Sequence, residues 1–183
     1  MTGRNPRPAR SDLGFTLIEL MLVVTIIGIV AAIAIPALGR ARIASFETAA
    51  IGALRTLGSA QSAFAASCSG GYFAPSLVWL GRAPAGGDAF VQPDLVGNGR
   101  RVDRQAYQLR FAAGRRARSS PAACNGLRPG RAVESYFVGA NPRNRREGAR
   151  YFGTNSSGTI YQSTRRVRVT QMGVPRAPAR PIQ

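Results

Sequence analysis

The chain has no histidine and no lysine: all 25 of its Lys+Arg positions are arginine. Acidic residues are scarce too, 8 against those 25, so the formal net charge is +17 at pH 7. The missing imidazole removes most zinc sites, the Cys-His nucleophile and the commonest general base. The serines and carboxylates fall in no recognisable nucleophile or acid–base arrangement, so neither enzyme chemistry nor a cofactor is expected. Asp88, Asp94 and Asp103 share one segment, but their spacing matches no calcium loop and reads as turn and surface carboxylates, so no metal is expected.

The shortage of acid leaves a basic surface. Arginines concentrate in Arg100/Arg101/Arg104, Arg115/Arg116/Arg118 and Arg143/Arg145/Arg146, and again in the tail at Arg165, Arg166, Arg168, Arg176 and Arg180. Such a surface attracts DNA, anionic polysaccharide or lipid head groups. No aromatic interleaving and no nucleic-acid motif accompanies the clusters. The plain alternative is a solvated face whose arginine bias reflects coding composition.

Charge is absent altogether from Leu20 to Leu38. Those roughly 19 residues, at about 1.5 Å each in a helix, come close to a hydrocarbon core of about 30 Å, so the segment can span a membrane. With Phe15 to Ile18 included, the apolar stretch begins at Phe15 and carries the Glu19 carboxylate inside it. A lone carboxylate there costs about 2.5–3.5 kcal/mol on insertion scales, so it needs a partner. Pro36 lacks an amide hydrogen and crowds the carbonyl four residues earlier, which should bend the helix or help a segment melt. A secretory signal peptide competes for this region, with Ala32-Ile33-Ala34 as an A-x-A-like cut site. The internal Glu19 and an apolar run longer than the usual range of about 7–15 residues argue against it. An ordinary anchor with a tolerated interfacial Glu19 is the other plain alternative.

The block Gly14-Phe15-Thr16-Leu17-Ile18-Glu19-Leu20, followed by the apolar helix with Pro36, resembles the start of type IV pilins and type II secretion pseudopilins. The resemblance implies that a prepilin peptidase cuts between Gly14 and Phe15 and that the new amine of Phe15 is methylated. It also implies that Pro36 falls where the family has its helix proline. Asp12-Leu13 departs from the basic residue that family leaders usually carry before the glycine. In an assembled filament the ammonium of Phe15 on one subunit can neutralise Glu19 on its neighbour, and removing one partner would leave the other unpaired at about 3–5 kcal/mol.

The implied partners are the peptidase and methylase, an inner-membrane assembly platform, the membrane before assembly, and further copies of the chain in a helical filament. Loss of the leader removes Arg4, Arg7 and Arg10 against Asp12, taking the net charge from +17 to +15. Arginines ahead of the span favour a cytoplasmic N-terminus, Arg40 and Arg42 beyond it blunt that argument, and orientation rests more on the motif. The expected location is the bacterial inner membrane, then an extracellular pilus or a periplasmic pseudopilus.

Beyond Pro36, Ile43, Phe46, Ala50, Leu54, Leu57, Gln61 and Phe64 recur at three- and four-residue spacing, which predicts one buried face of an amphipathic helix. The two halves together predict one helix from about Phe15 to Ala66, ended by Cys68-Ser69-Gly70-Gly71. A short helical turn is expected over Pro75–Leu80 with Trp79 as core anchor, then a connecting loop over Gly81–Arg104. Strands are expected at Tyr107–Ala112, Val133–Val138, Tyr151–Gly153 and Thr159–Tyr161, the last two joined at Asn155-Ser156-Ser157-Gly158. Arg150–Gln162 also looks like the closing hairpin of many pilin-like proteins.

The expected fold is therefore α+β, a long N-terminal helix packed on a small antiparallel sheet. Its expected parts are a leader (1–14), a transmembrane or filament-core helix (15–38), an amphipathic helix (39–67), a sheet head (68–173) and a flexible basic, proline-rich tail (174–183). If the head lies outside the cytoplasmic membrane, Cys68 and Cys124 pair, and a bridge of that span contributes about 4 kcal/mol in the chain-entropy model. Two free buried thiols are the alternative.

The expected function is that of a structural filament subunit. A type IV pilus and a type II secretion pseudopilus both suit the leader, and the disulfide-bearing head without a calcium motif favours the pilus. A membrane- or filament-borne module that captures DNA or another polyanion through its arginines is the reading from a different class.

Overall fold

The computed structural model describes residues 14–144, 150–167 and 179–182. The chain divides into two units, Met1–Arg40 and Ala41–Gln183, and the helix α1 (Leu17–Ser67) has residues in both. Pro36 lies inside α1, with helical residues on either side of it. In the first unit the helix surface is apolar and exposed. In the second, α1 buries most of the predicted stripe: Ala50, Leu54, Leu57, Gln61 and Phe64 are all inside, with Ala53 and Ala60 beside them, while Ile43 and Phe46 are partly buried.

Gln61 is a buried polar residue whose side-chain nitrogen and oxygen each have a partner. Its Nε2 donates to the Ala74 carbonyl at 3.1 Å, and its Oε1 accepts from the Ala74 amide at 2.8 Å. The side-chain amide thus acts as a strand partner for the segment returning along the helix, which removes the cost of burying it. At the end of α1, Gly70 and Gly71 adopt positive φ of 63° and 94°, and Cys68 is bonded to Cys124. The disulfide sets aside the free-thiol alternative, and the Cys124 amide donates to the Cys68 carbonyl at 3.0 Å beside it.

The helical turn α2 (Leu77–Leu80) forms where expected, but Leu77 and Leu80 enter the core and Trp79 is only half-buried against it. A 3₁₀ turn follows at Pro93–Leu95. The sheet then runs β1 (Arg101–Arg104), β2 (Tyr107–Ala113), β3 (Tyr136–Pro142), β4 (Tyr151–Asn155), β5 (Ile160–Ser163) and β6 (Arg180–Pro181), antiparallel, with each strand beside its sequence neighbour. Among the described residues six strands replace the four expected. The register lines up Val102, Leu109, Ala140 and Phe152 across four strands, and all four belong to the core shared with α1.

Three elements differ from expectation. Arg101–Arg104, expected as the end of a loop, is an edge strand: only Val102 is buried, so no apolar alternation announces it, and its charges suit an unpaired edge. Val133 precedes β3 and instead forms isolated bridges with Phe73 and Arg116. Arg180–Pro181 lies within the stretch expected as a flexible tail, yet pairs with Tyr161 and Gln162; a proline is tolerated there because β6 is the opposite edge. Residues 174–178 of that expected tail lie outside the described residues.

The predicted β4–β5 turn is present. Gly158 has φ 77°, its amide donates to the Asn155 carbonyl at 2.9 Å, and the Asn155 Oδ1 accepts from the Ser157 amide at 3.1 Å. Elsewhere in the sheet, Gly139 and Gly153 are cross-strand partners and the Phe137 ring lies against both. A Cβ built on Gly153 would fall 2.6 Å from that ring.

Candidate functional site

The start of α1 is closed by a reciprocal pair. The Glu19 amide donates to Thr16 Oγ1 at 3.3 Å, and Glu19 Oε2 accepts from the Thr16 amide at 3.0 Å and its hydroxyl at 2.8 Å. This is a capping box: a threonine at the N-cap and a glutamate three residues on satisfy amides that the first helical turn cannot. The carboxylate that the sequence reading left in need of a partner therefore has a local one on its own chain. The T-x-x-E spacing just ahead of an apolar run was the signal that could have found it.

The helix that opens there carries an 18-residue window of mean hydropathy 2.8 with none of it buried. Large apolar side chains are exposed all along it, among them Phe15, Leu17, Ile18, Leu22, Ile26, Ile29, Ile33 and Leu38. At roughly 25 cal/mol per Å² of apolar surface, so extensive an exposure is untenable in water. Among the described residues α1 is the helix long and apolar enough to cross a membrane.

In the second unit, Glu47 is a buried acid that the sequence reading missed, although it stands three residues before Ala50 on the same stripe. Arg150 donates to its Oε2 from Nε at 3.0 Å and Nη2 at 2.5 Å, and from Nη1 to Gln162 Oε1 at 2.8 Å. The Arg150 guanidinium lies 5.5 Å over the Phe152 ring, and its carbonyl accepts from the Tyr107 hydroxyl at 2.8 Å. One residue thereby ties α1 to β2, β4 and β5. The hydrogen bond that Arg150 donates to Glu47 raises the Arg150 pKa above its ordinary value. Burial, followed by the nearby Glu47 charge, pushes the Tyr107 phenol well up, and burial pushes Tyr136 up to about 12.

The arginine clusters named from the sequence lie in several different surroundings. Arg104 is paired with Asp94, while Asp103 accepts from Gln108 at 3.2 Å. Arg100 and Arg101 line a cavity of about 320 Å³ together with Arg110 and Arg166, and the Arg166 Nε donates to Asn141 at 3.2 Å. Arg116 lines a different cavity, about 550 Å³, with Arg82, Arg128 and Arg131. Arg115, Arg118 and Arg143 are exposed, and Arg145 and Arg146 lie outside the described residues. Arg82, Arg110, Arg128, Arg131 and Arg166 are scattered in sequence, so only the fold brings them to these cavities.

No curated protein and no solved structure matches the chain. Residues 9–35 match the family model of the prokaryotic N-terminal methylation motif. They contain the capping box and most of the exposed apolar helix. That motif implies processing by a prepilin peptidase and assembly into a filament with membrane machinery, and with the apolar helix it fits a membrane-anchored precursor. The chain thus carries the N-terminal signature of the type IV pilins and pseudopilins, ahead of an α+β head of the pilin-like kind.

Proposed function

We propose that the chain is a structural, non-enzymatic subunit of a type IV pilus-like filament. It is cut between Gly14 and Phe15, methylated on Phe15, and held in the inner membrane with its N-terminus in the cytoplasm until an assembly platform extracts it. The observation that carries this reading is the exposed apolar half of α1, most of which lies within the methylation motif. Lipid covers that surface before assembly, and the same surface of neighbouring subunits covers it afterwards. Pro36 supplies a point at which the helix adjusts to the filament core.

Glu19 has two successive partners in this reading. In the membrane its Oε2 is held by Thr16. In the filament it meets the methylated ammonium of Phe15 on the adjoining subunit, a charged partner that outbids a neutral cap in a medium of low dielectric. Thr16→Ala removes the cap and keeps the carboxylate; Glu19→Ala removes both. Filament yield should fall modestly in the first and collapse in the second, while the N-terminal peptide of purified wild-type filaments should begin at methylated Phe15 by mass spectrometry. Normal filaments from Glu19→Ala, or a native protein retaining Met1–Gly14, would overturn the proposal. Deletion of the gene separates the two machines: loss of surface filaments marks a pilus, and a defect confined to protein secretion marks a pseudopilus.

A further inference from the structure

The cavity of about 550 Å³ is walled by Arg82, Arg116, Arg128 and Arg131, with the Trp79 ring and Leu127 contributing apolar surface. No carboxylate lines it, and none of the four arginines is in an ion pair among the described residues. Elsewhere in the second unit, Asp94 and Glu47 each neutralise an arginine. All four guanidinium groups are exposed, so they present a concentrated positive charge that favours an anionic occupant. The volume lies within the range of about 300–1,000 Å³ usual for ligand pockets, which suits an occupant larger than one small ion.

Both walls are held in place. Asn125 Nδ2 donates to the carbonyls of Trp79 at 2.5 Å and Arg82 at 3.4 Å, which joins the α2 side to the facing loop. That loop is itself closed by Ala123 N to Leu127 O at 2.9 Å and Gly130 N to Ser120 O at 2.9 Å, and the Cys124 disulfide ties it to the end of α1. Such a site is built before its ligand arrives, so little ordering cost falls on binding. Its aromatic part is also arranged: the Arg82 guanidinium stacks over Trp79, 4.7 Å from the ring centroid.

We infer that this cleft binds single-stranded nucleic acid, its arginines taking successive phosphates and its Arg82–Trp79 stack receiving an unpaired base. Guanidinium forks match phosphate oxygens in bidentate fashion. Planar aromatic and guanidinium groups are the platforms on which unpaired bases stack, whereas a duplex keeps its bases inside. The inference is independent of the filament reading, since it involves residues of the head alone.

The chain has one tryptophan, so Trp79 emission reports on the cleft itself. Full-length protein in neutral detergent is titrated with a short oligothymidylate. The expected result is saturable quenching, with affinity falling roughly tenfold or more between about 50 and 200 mM salt. Arg128→Ala/Arg131→Ala should weaken binding at least about tenfold, at an average of 0.7 kcal/mol or more for each lost contact. The control Arg55→Ala/Arg165→Ala removes the same charge away from the cleft and should stay within about twofold.

Equal losses in the two double variants would reduce the effect to net charge and overturn the site. Binding of heparin with the same arginine dependence, and none of the oligonucleotide, would assign the cleft to polysaccharide and overturn the nucleic-acid inference. Absence of any low-salt response to the oligonucleotide would overturn it as well. Urea midpoints matching wild type establish that the variants are folded.

Discussion

Truncating Arg150 to alanine should destabilise the head by about 2 kcal/mol, more than neutralising its partner does. The Glu47 side chain is 7% exposed and that of Arg150 48%. Glu47 Oε1 already has no hydrogen-bond partner among the described residues, so its Oε2 contacts with Arg150 carry the whole compensation for burying the charge. Breaking a fully buried pair costs about 3–5 kcal/mol because the surviving charge is stranded. Half of Arg150 faces water, which screens the pair and lets solvent follow the truncation inward, so we take the lower figure.

Glu47→Gln inverts the situation. It leaves Arg150 free to turn its charge into solvent and should cost under about 1 kcal/mol. Urea denaturation of the full chain in neutral detergent, followed by Trp79 emission, measures both, and the double variant Arg150→Ala/Glu47→Gln should recover much of the loss. For a head of this size, about 2 kcal/mol corresponds to a Tm lower by roughly 7 °C. Arg150→Ala within about 0.5 kcal/mol of wild type, or Glu47→Gln costing more than Arg150→Ala, would refute the reasoning.

Reducing the Cys68–Cys124 bridge should lower head stability by about 4 kcal/mol, read as a shift in urea midpoint with and without reductant; an unchanged midpoint would show that the bridge is energetically idle. The head should lose stability in alkali. The folded-state pKa of Tyr136, about 12, lies above the ordinary 10, so the neutral phenol contributes stability that is fully present below about pH 10 and lost as pH rises through 12. Tyr136→Phe should flatten that loss in a denaturation series from pH 9 to about 12, and an unchanged slope would remove Tyr136 as its source. Gly153→Ala places a methyl against the Phe137 ring and should destabilise by about 1–3 kcal/mol; a neutral effect on thermal unfolding would mean that the ring moves aside freely.

Features that depend on residues near one another in the chain were readable without coordinates. The stripe from Ala50 to Phe64 announces the buried face of α1, because a helix brings residues three and four apart onto one side. Asn155-Ser156-Ser157-Gly158 announces its turn, because Gly158 needs a backbone that other residues rarely adopt. Gly14 to Leu20 and the uncharged run behind it announce a processed, membrane-compatible helix, because length and hydropathy alone decide whether a segment fits a bilayer. The Thr16–Glu19 cap belongs to the same class, since its partners stand three residues apart.

Tertiary structure alone decided the rest. β1 and β6 are edge strands, where pairing with one neighbour leaves charge and proline acceptable, so neither carries the alternation that marks an inner strand. The Glu47–Arg150 pair joins residues 103 positions apart. The cleft around Trp79 likewise collects arginines from either side of the Cys124 loop. Local sequence specifies backbone periodicity, but which charges finally face one another depends on long-range contacts closed by the sheet register and the disulfide, and those exist only once the chain has folded.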